Sequence, residues 1–283
     1  MAQVLLLAFV FNQDDVGTAR ISQIITSLTS GSLFVFAWSF LFRNRPPSST
    51  LQDHQSLWNV GFSKVFQTGR EIYLHMPALR CLMGSVLFAE SAMNTIVTVG
   101  TTYMSTFLDM TSSEIGFVFL VVLIMGIPGA KLGQLIALRL SPLISAKLSI
   151  LCLLISTTLA AALLTGPQHK HYVVIFAVFW GLSLGWLHPM HTIMFIGLTP
   201  DDSRTEFMGI YIFSQQILSW LPALVFTILN EAGASMSIGL ASLDIFFVFG
   251  LVSLQLMGSY DEVKKTPREI QVAMVDTELP SLS

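Results

Sequence analysis

Seven stretches of this sequence are long and apolar enough to cross a bilayer, which takes about 20 mostly apolar residues in a helix. They run approximately over 19–42, 79–104, 115–138, 142–165, 172–198, 207–229 and 237–257. Within hydrocarbon every backbone N–H and C=O must bond inside the protein, so such stretches fold as helices. The expected fold class is therefore an all-α membrane protein with about seven transmembrane helices. Only 11% of the 283 residues are charged, against about 25% in a soluble domain. Mean hydropathy is +0.70. A net charge of −3, with no basic stripe and interleaved aromatics, argues against a nucleic-acid partner. The bilayer is the first partner such a chain implies.

The basic residues orient the spans. Arg43, Arg45, Lys64, Arg70 and Arg80 follow the first span or flank the second; Lys131, Arg139 and Lys147 surround the turn after the third. Arg204 lies between the fifth and sixth, and Lys264, Lys265 and Arg268 are in the tail. These are 12 of 14 basic residues on one side, with only Arg20 and Lys170 opposite. Positive loops stay inside, so the C-terminus is expected in the cytoplasm. Residues 1–18 read as the end of a preceding span and an outer loop, since the apolar run Val4–Phe11 is too short to span. Residues 43–78 read as a cytoplasmic linker carrying an amphipathic helix, because Trp58, Phe62, Val65, Phe66, Ile72 and Tyr73 recur at helical spacing with Lys64 and Arg70 between. A helix packed beneath the bundle fits the same pattern. Residues 79–257 form a six-helix bundle, and 258–283, polar and aperiodic, read as a disordered cytoplasmic tail.

Polar groups inside the spans carry the functional question. Glu90 sits near the middle of the second span, where an acidic residue costs about 2.5–3.5 kcal/mol on insertion scales. At 100° per residue Asn94, Thr98 and Thr101 share its face. That stripe reads as a substrate or proton path, or as a structural hydrogen bond between Glu90 and Asn94. His188 and His191 in the fifth span are either relay groups or histidines satisfied near the interface. Gln215, Gln216 and Ser219 in the sixth are either substrate-facing groups or interhelical glue. Asp244 in the seventh lines the path, reaches the lumenal surface, or pairs with Lys170 or His171. Gly129 and Gly133 near Pro128, and the Gly181–Gly185 pair before Pro189, thin two helix faces for close packing or kinking. Arg139 with Lys131 and Lys147 marks the inside, or gates through Asp201, Asp202 or Glu206. No metal spacing appears around Cys81, Cys152 or the histidines, and no cofactor is implied. No nucleophile elbow, zinc motif or P-loop is present, so an enzyme is not expected.

The glycine-rich end of the third span with its basic turn (Gly129, Gly133, Arg139, Lys147) resembles the loop signature of the major facilitator superfamily. LFAESAMNTIV, WGLSLG, TEFMGIYIFSQQILSWLPALVF and SLDIFFVFGLVSLQL, in that order, resemble the autophagy-related protein 22-like (vacuolar effluxer) family. The sequence departs from that pattern at Met208, Leu221, Ser91 and Asp244. The resemblance implies a transporter that moves small solutes, amino acids foremost, from a vacuole or lysosome-like lumen to the cytoplasm by alternating access. It also implies a vacuolar membrane and about twelve spans, of which the chain would hold the C-terminal half. A second chain or a missing N-terminal half is then expected as partner. The alternatives are a heptahelical receptor and a truncated, non-transporting remnant.

Overall fold

The computed structural model describes residues 15–41, 57–199 and 204–258. Most of the expected preceding-span end and outer loop, the first part of the linker (43–56), Asp201, Asp202 and the tail after 258 lie outside the described residues. Among those described, seven helices are long and apolar enough to cross a membrane: Gln23–Phe40, Pro77–Phe107, Ser112–Arg139, Pro142–Leu163, Pro167–Leu198, Phe207–Glu231 and Met236–Gln255. They are termed the first to seventh spans. The helix Leu57–His75 lies between the first and second spans in sequence. It stops at Met76 because Pro77 pushes the residue before it out of helical geometry while fitting the first turn of the next helix.

The spans differ in enclosure. No residue of the first is buried, whereas 67% of the apolar window in the second is, so the second runs through the interior of the bundle. It packs along the seventh, where Gly84 meets Ser253 and Gly250 meets the Ala89 methyl. Those pairs count in opposite directions, so the two helices are antiparallel. Pro77, Arg139, Pro142 and Gln255 therefore share one end of the bundle, here the basic end. Phe107, Ser112, Leu163 and Met236 share the other. At that other end the Tyr103 hydroxyl donates to the Leu164 carbonyl and lies 3.2 Å from Ser237 Oγ, tying three spans together.

The third and fifth spans run parallel and nearly touch. A Cβ on Gly129 would stand 2.7 Å from the Leu182 carbonyl carbon, and one on Gly185 would stand 2.6 Å from Gly126 Cα. Lipid gives helices no hydrophobic reason to associate, so this contact gains its stability from backbone-to-backbone packing. Gly133 leaves room for the Trp186 indole, whose Nε1–H donates to Ser145 Oγ at 2.7 Å; Ser145 in turn donates to the Gly133 carbonyl at 2.9 Å. Glu114 completes a capping box with Thr111 at the start of the third span and meets Lys170 Nζ at 2.8 Å.

One expected span is not continuous. The sixth breaks into Arg204–Gln216 and Trp220–Glu231. Pro222 has no N–H for the carbonyl of Leu218, one helical turn earlier. The chain tightens instead: Leu221 N–H bonds Leu218 O and Ser219 N–H bonds Gln216 O. Thr95 of the second span lies with its hydroxyl 3.2 Å from the Ser219 carbonyl at the break. The second span holds another irregularity, a π-helical turn over Val86–Glu90.

Candidate functional site

Glu90 ends that π turn and is 2% exposed. Its partners come from the fifth span. His191 Nδ1 lies 2.9 Å from Oε1, and His188 Nδ1 lies 3.4 Å from each carboxylate oxygen. The two histidines are three residues apart, hence on one helix face. Behind His191, Ser85 Oγ stands 3.3 Å from Nε2. With Glu90 ionised, His191 donates from Nδ1 and accepts the Ser85 hydroxyl proton at Nε2, so every polar atom of this fully buried ring is satisfied.

His188 is placed differently. Its side chain is 52% exposed. Its Nδ1 also lies 3.4 Å from Gln215 Nε2 in the sixth span. An ionised carboxylate only accepts and an amide nitrogen only donates. Carrying a proton, Nδ1 satisfies Glu90; without it, Nδ1 accepts from Gln215. The ring thus stands between two partners that favour opposite protonation states, with an edge open to the outside. Thr192, one turn on, donates to the His188 carbonyl at 3.0 Å and lies 3.2 Å from the Tyr211 hydroxyl. Tyr211 is buried and stacks on Phe195 at 4.5 Å between ring centroids.

The remaining sequence candidates divide by location. The Asn94 and Thr98 side chains are exposed, and Glu90 turns inward rather than towards Asn94. The long carboxylate side chain follows the imidazoles, so the stripe splits although its helical phase is unchanged. Gln215 is buried in the network; Gln216 is exposed, and Ser219 donates to the Gln216 carbonyl at 2.7 Å in the break. Asp244 is not tied to Lys170, which pairs with Glu114. Its Oδ2 lies 2.7 Å from Thr158 Oγ1 of the fourth span, and its Oδ1 is buried without a partner. Gly129, Gly133, Gly181 and Gly185 form the contact between third and fifth spans, and Pro189 lies within the fifth helix between the two site histidines. Arg139 is exposed at the basic end, with its expected partners Asp201, Asp202 and the Glu206 side chain outside what the structure describes. Ser85 and Tyr211 were not among the sequence candidates. The signal for Tyr211 was its position four residues before Gln215, on the same face. No group of three or more metal-ligating side chains occurs among the described residues.

The family model described as "Vacuole effluxer Atg22 like" matches residues 1–266. Among solved structures, the chain is similar to "the MFS (major facilitator superfamily) proton:xylose symporter XylE bound to 6-bromo-6-deoxy-D-glucose". The TM-score is 0.50 at 19% identity, over 70% of this chain and 45% of that one. At that identity the likeness is one of fold, and the chain spans less than half the length of that transporter. No curated protein sequence matches the chain. The family match sets aside the heptahelical-receptor alternative. With seven membrane-spanning helices in a major facilitator arrangement and a family model covering nearly its whole length, this chain is a multi-pass membrane protein and belongs to the vacuole effluxer Atg22-like family.

Proposed function

We propose that the chain takes part in moving a small solute across a vacuole-type membrane, with Glu90 and His188 as its proton-exchanging pair. The observation that carries this reading is His188 Nδ1 held between Glu90 and Gln215 while the ring edge is half exposed. A proton entering from the open side reaches Glu90 through one ring. Buried carboxylates within membrane spans are costly and mark ion or proton routes. Binding sites in this class of fold lie near the bilayer midplane, and substrate access alternates by rocking of helix bundles. Asn94, Thr98 and Gln216, all exposed, supply polar lining beside the pair. In this reading the facing wall comes from a second chain or a further set of spans.

The family description supports export from a vacuole. Amino acids are the proposed cargo, on the resemblance carried by the second, fifth, sixth and seventh spans. The direction is lumen to cytoplasm, with the basic end facing the cytoplasm. The test is uptake of radiolabelled neutral amino acids into proteoliposomes holding the full chain, with and without an imposed pH gradient. Wild type should show gradient-dependent flux. Glu90→Gln should reconstitute equally and lose the pH dependence. Unchanged pH-dependent flux in that variant removes Glu90 from the mechanism, and no flux of any amino acid by wild type reconstituted together with the chain or spans that complete the cavity refutes the cargo.

A further inference from the structure

The helix Leu57–His75 presents two different faces. Thr68 and Ile72 are buried against the bundle. On another face Val65, Phe66, Tyr73 and Leu74 remain exposed, Phe66 at 79%. Those residues follow the i, i+1, i+8, i+9 spacing of a single helical stripe. Together with Ile210 and Phe213 of the sixth span they wall a groove of about 630 Å³, with Arg70 lining it. That volume lies inside the range of roughly 300–1,000 Å³ typical of small-ligand sites. Gly69 forms part of the floor with nothing near its missing side chain, which deepens the groove beside Arg70.

The charges at this groove are positive. Arg70 makes no ion pair or hydrogen bond among the described residues. A second guanidinium, Arg80, stacks 5.0 Å over the Tyr73 ring and donates one N–H to the Tyr73 carbonyl at 2.9 Å. That leaves four of its five N–H groups for other acceptors. The groove therefore combines apolar walls with Arg70 in its lining and a second guanidinium, Arg80, held on the Tyr73 ring that forms one wall, at the basic end of the spans.

We propose that this groove binds an anionic membrane phospholipid, with an acyl chain along Phe66, Tyr73 and Phe213 and the phosphate on Arg70 and Arg80. The chemistry is specific to a lipid in two respects. A soluble anion would be drawn to the arginines but would leave the apolar walls wet. A protein segment fitting the walls would need its own acidic group at the same depth. Guanidinium pairs phosphate with parallel N–H donors, and the aliphatic stems of both arginines lie along apolar surface without penalty. The site is separate from the Glu90 network and stands whether or not that network moves protons.

The test is native mass spectrometry of the purified full chain titrated with phosphatidylserine or phosphatidylcholine of identical acyl composition. Each interfacial arginine favours an anionic lipid by about five-fold. Wild type should retain phosphatidylserine over phosphatidylcholine by at least that factor. Arg70→Gln, an exposed substitution, should reduce the preference by about five-fold and leave thermal unfolding unchanged. Phe66→Ser should weaken both lipids equally. Equal retention of the two lipids by wild type, or an undiminished preference in Arg70→Gln, overturns the proposal. Oxidative dimerisation of a Phe66→Cys chain in phosphatidylserine membranes would assign the groove to a second copy and likewise overturn it.

Discussion

Replacing Gly129 by alanine tests whether backbone contact between the third and fifth spans holds the bundle together. The added methyl would stand 2.7 Å from the Leu182 carbonyl carbon and 2.8 Å from its Cα, where ordinary contact begins at 3.4 Å. The obstacle is main chain inside a helix, so no rotamer change relieves it. The two spans must part by about 1 Å, and overpacking of this kind costs about 3 kcal/mol at the upper end of its usual range. Alanine recovers about 1 kcal/mol of helix propensity over glycine, leaving a net loss of about 2 kcal/mol. Gly100→Ala is the matched control. It is also buried in a span, but its Cβ meets nothing within 4 Å and points to a small void beside Ile96, Val118 and Trp180. That variant should gain about 0.5–1 kcal/mol. Heating in detergent with a thiol-reactive dye reports unfolding through Cys81 and Cys152, both free and partly covered. At about 2–4 °C per kcal/mol for a domain of this size, Gly129→Ala should melt about 4–8 °C below wild type and Gly100→Ala slightly above it. Equal melting temperatures for the two variants would refute the argument that the third and fifth spans are held by backbone proximity.

Two further outcomes follow from the buried polar contacts. Ser145→Ala removes the acceptor of the Trp186 indole and the donor to the Gly133 carbonyl. It should lower stability by about 1–3 kcal/mol; a melting temperature within a degree of wild type would show that water or a shifted side chain replaces both bonds. Thr158→Val should cost about 1 kcal/mol in the wild-type background and close to nothing beside Asp244→Leu. Additive losses in that double-mutant cycle would mean that the Asp244–Thr158 contact contributes nothing.

Much of the fold was legible because the bilayer allows so few solutions. Seven apolar stretches had to be helices; some observed ends differ from the expected ones by a few residues where caps decide, as at Thr111, while the helix capped by Ser141 starts at 142 as expected. The break in the sixth span was not expected from the sequence: Pro222 is its cause, but its site depended on which carbonyl the proline left unbonded. For Glu90, sequence phase pointed along its own helix to Asn94 and Thr98. The actual partners sit on a different span, about a hundred residues away, and helical periodicity carries no information about that distance. His188 and His191 shared a face on spacing alone, yet only burial separates their roles: one ring is sealed, the other open. The identity of the family was readable because four ordered segments carried it, while the surroundings of Asp244, a departure from the family pattern, had no precedent to draw on.

The π turn at Val86–Glu90 sets how the two parts of the second span are phased. Each turn of this kind holds one residue more than an α-helical turn between bonded groups, so it takes up an extra residue while the helix on either side keeps its phase. The segment before it keeps Gly84 against the seventh span, and the segment after it keeps Thr95 against the break in the sixth. Closing this turn to α geometry with every residue retained would turn everything from Ser91 onward by about 100° relative to Pro77–Ser85. Glu90 sits on the seam. For this helix, the width of one turn is therefore as consequential as chemistry: narrowing it to an α turn, with every side chain conserved, would swing either the carboxylate or its supports out of register.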